Sequence, residues 1–277
     1  FADDNTVYVS DTSTDNILRR LNSETKNILN WFSLNSMAAN TDKFHLMFLG
    51  VKSNYQNLNI TIGKDIIHAT KEVKLLGVTI DNELKFKSHI QTLCAKANNK
   101  TCALRRIRRH LPLKKAKLIY NSYVISSFSY CPLIWMFCAK KENTKINNVH
   151  KKALRILYNR PDLPFSELLK INNSYPIHIL NLQKLVTEVF KSIHKINPEF
   201  MWNFFTLKEL PYKLRSSKLL CLPPNQSSNN CTNTLVYRAA SLWNSLDENL
   251  MSEMMLKKFK LNIKNWIGKK CSCKICS

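Results

Sequence analysis

Phe1-Ala2-Asp3-Asp4-Asn5-Thr6-Val7-Tyr8-Val9 opens the chain, and its reading decides the fold. Two adjacent carboxylates follow a short apolar pair and precede an alternating stretch. That pattern predicts a tight β-hairpin with Asp3 and Asp4 at its turn. Paired carboxylates on a rigid turn offer hard oxygen ligands to divalent cations, and through them suit phosphoryl transfer. An ordinary acidic turn has the same appearance, because Asp is a common turn residue. The segments downstream have to separate the two.

After the hairpin, Asp11-Thr12-Ser13-Thr14 supplies N-cap candidates, and Ile17, Leu18, Leu21, Ile28, Leu29 and Phe32 recur at helical spacing, predicting an amphipathic helix over about 14–35. Phe44 to Leu49 reads as a buried strand. Leu58, Ile60 and Ile62 alternate with polar residues, with a turn at Gly63-Lys64 into Ile66-Ile67, and Val73 to Ile80 reads as a further strand. From about residue 85 the period becomes helical. Helices are expected over Leu84 to Arg109, from Pro112 onward, over Val149 to Tyr158, over Ile177 to Ile196, and as a pair between Leu235 and Trp266. Residues 222–234 read as a polar loop. The uncharged stretch Leu118 to Ala139 has the length of a membrane span, but Asn121, four serines and Pro132 favour a buried core helix ending near Pro132. No membrane is expected as a partner.

Composition narrows the function. The chain has 277 residues and a formal charge of +23, which implies a polyanionic partner. The charge is concentrated: residues 85–160 hold 18 of the 42 Lys/Arg and 1 of the 19 Asp/Glu, a net +17. A nucleic-acid track concentrates charge in this way, whereas a general solubility charge is spread out. Four glycines, none in a phosphate-binding loop, argue against a dinucleotide-binding enzyme or a P-loop ATPase. Nine cysteines without a secretory leader suggest a reduced, intracellular protein.

Phe1-Ala2-Asp3-Asp4 followed by an alternating strand resembles the catalytic hairpin of reverse transcriptases. The segments after it come in that family's order. Asn40-Thr41-Asp42-Lys43 resembles the palm segment in which a Lys precedes a strand. Val73-Lys74-Leu75-Leu76-Gly77-Val78-Thr79-Ile80-Asp81 resembles the primer-grip strand of non-LTR retrotransposon polymerases, and Leu84 to Ile90 continues it into the thumb. Tyr130 to Trp135, His150 to Leu157 and Ala240 to Leu246 resemble the thumb and C-terminal segments of jockey-like or CR1-like elements.

The resemblance implies an α+β fold: a partial polymerase palm over 1–84, a basic helical thumb over 85–170 and a helical C-terminal region with a Cys-rich tail over 171–277. It implies an RNA-directed DNA polymerase that acts in the nucleus on an RNA template, a DNA primer and dNTPs. Asp3 and Asp4 would ligate Mg²⁺ for two-metal nucleotidyl transfer. Lys43 would protonate the departing pyrophosphate, although a surface Lys closing a loop reads the same way. Leu76 and Gly77 would bring backbone close to the primer; a β-bulge is compatible with the same residues. Lys96, Lys100, Arg105, Arg106, Arg108, Arg109, Lys114, Lys115 and Lys117 would contact phosphates, with a solvated helix face as the alternative.

Cys271, Cys273 and Cys276 could ligate Zn²⁺, with Cys221 or Cys231 as a fourth ligand, or else form a reduced tail. Cys131 and Cys138 read as core.

The family also needs an aspartate on an earlier strand and a nucleotide-selecting segment, and neither is in these residues. The fragment is therefore expected to be inactive alone; a non-catalytic nucleic-acid-binding remnant of a mobile element is the other reading. Primer extension with Mg²⁺ checks this: no synthesis is expected, and synthesis that disappears in Asp3→Asn would show the expectation wrong.

Overall fold

The first helix is started by a side chain outside it. Asp11 Oδ1 accepts the backbone N–H of Ser13 at 3.0 Å and the Asn16 amide at 3.3 Å, and the Ser13 hydrogen bond above all holds the Asp11 carboxyl below its usual range. From there α1 (Thr14–Leu34) presents Ile17, Leu18, Leu21 and Leu29 on one face. In this computed structural model the described residues are 5–50, 58–208, 218–223, 234–268, 271 and 273–276. They combine helices with two small antiparallel sheets, the mixed α and β class expected. The chain divides into two compact units, 1–89 and 90–277.

In the first unit α1 packs on β1 (Asn59–Ile62), and Asn22 Oδ1 accepts the backbone N–H of Thr61 at 3.2 Å. β1 pairs with β2 (Asp65–His68) across the expected Gly63-Lys64 turn, with Ile60 opposite Ile67. Leu46, Phe48, Ile60, Ile62 and Ala69 form a small core. Leu46 makes a single parallel bridge to Ala69, so Phe44 to Leu49 is not a regular strand, and only Leu46 and Phe48 of it are buried while Leu49 is exposed.

Two expectations need correction here. Val73 to Ile80 is not one strand but a hairpin, β3 (Glu72–Leu75) and β4 (Val78–Asp81), with Leu75 opposite Val78. Leu76 (φ 45°) and Gly77 (φ 83°) are its two turn residues. Positive φ at both turn positions is the type I′ geometry that matches strand twist, so Gly77 closes a turn instead of forming a bulge. Leu at the first position lacks the usual Asn or Asp signal. Thr6 to Val9, read as a strand, is irregular and mostly exposed, and no described segment pairs with it. A strand exists through its partner's hydrogen bonds, so alternation alone does not make one. Residues 1–4, which carry the proposed turn, lie outside the described residues.

β4 ends at Asp81, whose carboxylate accepts the N–H groups of Glu83, Lys85 and Phe86. Three charge-assisted bonds hold a loop in which Leu84 and Phe86 both take positive φ, and they lead the chain into α2 (Lys87–Arg108).

In the second unit α2 is followed by α3 (Leu113–Ile119), with Pro112 at its N-cap. The helical path then widens to a π turn at Tyr120–Val124 and tightens to 3₁₀ at Ile125–Phe128. After a left-handed Cys131, α4 (Pro132–Trp135) begins. The apolar stretch expected as one buried helix is therefore broken into pieces, and no helix among the described residues is long and apolar enough to cross a membrane.

α5 (Lys140–Tyr158), α6 (Phe165–Asn172) and α7 (Ile177–Ile193) follow. The expected C-terminal pair is instead three short helices, α8 (Leu235–Asn244), α9 (Glu248–Met251) and α10 (Leu256–Asn262).

Apolar clusters among the described residues hold this unit. One, between α3, α5 and α6, buries Leu104, Tyr120, Val124, Leu154, Leu157 and Leu168. Another surrounds α7 with Met136, Trp243, Phe259 and Ile263, and stacks Phe190 on Phe259 with ring centroids 4.3 Å apart. Trp243 Nε1 donates to the carbonyl of Lys218 at 2.8 Å. Asn244 accepts from the backbone N–H of Leu220 at 2.8 Å and donates to its carbonyl at 2.9 Å. Trp243-Asn244 thus clips an extended segment onto the core.

In the first cluster the Tyr120 hydroxyl and His150 Nε2 share a hydrogen bond of 2.7 Å, and burial pushes the His150 pKa down to about 4. An unfolded His titrates near 6.5, so the unfolded chain takes up this proton first. The stability that depends on neutral His150 is complete above pH ~6.5 and falls as pH drops toward about 4. The full difference corresponds to about 3 kcal/mol. Urea unfolding across that range should show the loss, and His150→Gln should flatten its upper half. A variant with the same slope as the native chain would show that His150 is not the group responsible.

Candidate metal centre and basic groove

Three thiols and an imidazole meet at the start of α7. Pro176 caps that helix, which sets Ile177 and His178 in its first turn, where both are buried. The chain returns to this place from α10. Gln183 Nε2 donates to the carbonyls of Lys264 at 3.0 Å and Trp266 at 2.8 Å, tying the incoming segment to α7. Gly268 follows at φ +62°, and a Cβ there would lie 2.9 Å from Cδ1 of the buried Leu182. Only glycine combines that backbone angle with that approach. Cys271 then packs against the α7 core, and the Cys276 N–H closes a turn on the Cys273 carbonyl at 3.0 Å.

The ligand atoms of His178, Cys271, Cys273 and Cys276 all lie within 4.8 Å of one another, and this set could hold a metal ion. His178 Nε2 is 3.3 Å from the Cys273 sulfur. Burial pushes the His178 imidazole down, but its hydrogen bonds to the Cys271 and Cys273 sulfurs outweigh this and bring its pKa up to about 9. Hydrogen bonding from Cys271 and Cys276, then from His178, pushes the Cys273 thiol far down; the Cys276 thiol is pushed up, first by Cys271.

The three tail cysteines are those singled out in the sequence; His178, nearly a hundred residues earlier, was not. No spacing rule connects them, because α7 brings His178 there. Cys221 is exposed, with its sulfur 3.9 Å from the Leu207 carbonyl, and takes no part; Cys231 lies outside the described residues. Cys138 is buried, as expected, and burial pushes its thiol up to about 12.

The second feature is an open groove of about 930 Å³ between the C-terminal turns of α2 and α5. Arg105, Arg108 and Arg109 line it from the α2 side, and Lys151, Lys152 and Arg155 from α5, with no Asp or Glu among the lining residues. Glu142, the one acid between residues 85 and 160, is buried and paired with Lys145 at 2.8 Å. Helical spacing places Lys151 and Arg155 on a common face of α5, and Arg109 follows the last residue of α2. Lys151, Lys152 and Arg155 were missed as binding residues, although they belong to the same basic window.

Not every cation here is available to a ligand. Arg108 donates to the carbonyls of Leu157 at 2.5 Å and Leu111 at 2.9 Å, and Arg155 donates to Leu163. Lys100 bonds Ser127 Oγ at 2.8 Å and lies over the Tyr123 ring; Lys117 donates to the Asn172 carbonyl at 3.2 Å. Lys96, Arg106, Lys114 and Lys115 are exposed and outside the groove. In the first unit, Lys43 ends an exposed 3₁₀ turn (Thr41–Lys43), and Leu76 and Gly77 form the β3–β4 turn. Asp3 and Asp4 lie outside the described residues.

Arg108→Ala should cost about 1.5–3 kcal/mol in equilibrium unfolding, because it abandons two backbone carbonyls, while Arg106→Ala should stay within ~0.5 kcal/mol. Equal costs would mean that Arg108 has no structural part. Comparison with known proteins adds no name to either feature: no family model, no curated protein and no solved structure matches this chain.

Proposed function

We propose that this chain is part of an RNA-directed DNA polymerase of a non-LTR retrotransposon, and that its second unit holds the template–primer duplex. The observation that carries the reading is the groove: six cationic side chains from two helices meet with no carboxylate among them. Arg105, Arg109, Lys151 and Lys152 supply the phosphate contacts, and Arg108 and Arg155 fix the walls. Lys and Arg without a base-reading set recognise a backbone rather than a sequence, as a polymerase must.

The polymerase assignment itself rests on the resemblance of Phe1 to Asp4 and of the segments after it. In this reading dNTPs are the substrates, the setting is nuclear, and the cofactors are Mg²⁺ at Asp3 and Asp4 and Zn²⁺ at Cys271, Cys273 and Cys276. Carboxylates suit the hard ion and thiolates the softer one.

Fluorescence anisotropy with a labelled RNA–DNA duplex tests the groove. With four to six phosphates neutralised, log K should fall with log [salt] at a slope of roughly −3.6 to −5.4. Replacing Lys151 and Lys152 by Ala should reduce the slope by about 2. Affinity that stays flat from low to high salt, or a slope unchanged in the double variant, would remove the support for this reading.

A further inference from the structure

We infer that the His178, Cys271, Cys273 and Cys276 cluster is a closed, four-ligand structural zinc site that locks the C-terminal tail onto the first turn of α7. The inference does not depend on the polymerase reading.

The donor set selects the metal. Three thiolates and one imidazole in tetrahedral array are the signature of zinc; carboxylate-free, sulfur-rich sites do not suit Mg²⁺ or Ca²⁺. Zn–S bonds of about 2.3 Å and Zn–N bonds of about 2.0–2.1 Å place tetrahedral ligand atoms roughly 3.5–3.8 Å apart. The His178–Cys273 separation is 3.3 Å and no pair exceeds 4.8 Å, so a ligand shift of about an ångström completes the site. The movable member is Cys276, exposed and at the end of a turn, whereas His178 and Cys273 are buried.

The role follows from closure. All four positions are taken by protein, which leaves none for water or substrate, so the metal supports structure rather than chemistry. It bonds to three thiolate sulfurs and to Nε2 of a neutral imidazole, and the displaced protons pass to solvent.

The mechanical effect is local. The segment from α10 runs back along α7 through the Gln183 bonds and the Gly268 approach, and at its end Cys271 packs on the α7 core and Cys273 is buried beside His178. A metal bond to His178 supplies what hydrophobic burial does not, and it fixes the basic residue Lys274, which sits between two of the ligands.

Zinc measured in the purified full chain, together with cobalt spectroscopy, tests the assignment. One zinc per chain is expected, and Co²⁺ should give tetrahedral ligand-field bands with thiolate charge transfer. His178→Ala should weaken zinc binding by more than about 100-fold, above the range for losing an outer partner. His178→Cys should restore binding, and Cys276→Ser, at an exposed position, should weaken it without unfolding the chain. Chelation should speed tryptic cleavage at Lys274.

Sub-stoichiometric zinc in the native chain would overturn the site. Loss of zinc in Cys231→Ser or Cys221→Ser, with retention in His178→Ala, would overturn the ligand assignment. Because these measurements contain no nucleic acid, their failure and the failure of the groove to bind a duplex are separate results.

Discussion

The second unit depends on the burial of α7. Eleven of its residues are buried, among them Leu182, Leu185, Val186, Val189 and Phe190, and α4, α5, α8 and α10 all pack against it. A helix apolar on most of its surface has to be covered on most of its surface. This explains why the chain after it breaks into short helices. One long helix would cover one side, whereas α8, α9 and α10, with the clip made by Trp243 and Asn244, can wrap several. Several buried polar side chains on α7 find partners in the same wrapping: Thr187 bonds back to the Gln183 carbonyl, Gln183 reaches the returning segment, and His178 Nε2 meets Cys273, while His178 Nδ1 is buried without a hydrogen-bond partner among the described residues.

Packing also separates two kinds of cation in the basic window. The last turn of α2 carries Arg105, Arg106 and Arg108, and positive charge at a helix C-terminus is favourable in itself. Arg108 and Arg155 go further and hold backbone carbonyls: Arg108 ties the end of α2 to α5 at Leu157, and Arg155 ties α5 to Leu163 in the segment before α6. With those two anchored, Arg105 sits in the last turn of α2, Arg109 in the turn just after it, and Lys151 and Lys152 within α5. A charge run counted along the sequence treats all of these residues alike; the difference comes from which carbonyls happen to lie nearby.

How much of this was legible varies with the range of the interaction. Local signals served well: α1, the Gly63-Lys64 hairpin, Pro112 before α3, and the mixed α and β class follow from period, caps and turn residues. Leu76-Gly77 was missed because a Leu can be forced to positive φ by strand pairing that single-residue preference does not report. The stretch from Leu118 to Ala139 read as one helix because its apolar content was clear, while the π turn, the 3₁₀ turn and the left-handed Cys131 are responses to packing. Of the metal centre, three ligands could be read, since they are neighbours in the chain. His178 could not, because its place beside them is set by the tertiary path of α7.

A metal ion held by His178, Cys271, Cys273 and Cys276 would anchor the tail on α7. Trp266 and Cys271 are only partly buried against the α7 core, and the residues beyond them are dominated by Lys, Ser and Cys. Few large apolar side chains stand in that sequence to offset the conformational entropy of ordering it. The alternative is a few strong directional bonds. Cysteines spaced as in Cys271-Ser272-Cys273-Lys274-Ile275-Cys276 fold easily around one point, and a partner fixed in a helix's first turn gives that point an address. Hydrophobic burial holds the chain past α10 through Ile263 and Trp266, and the tail after them brings a cluster of thiols that could hold a metal ion.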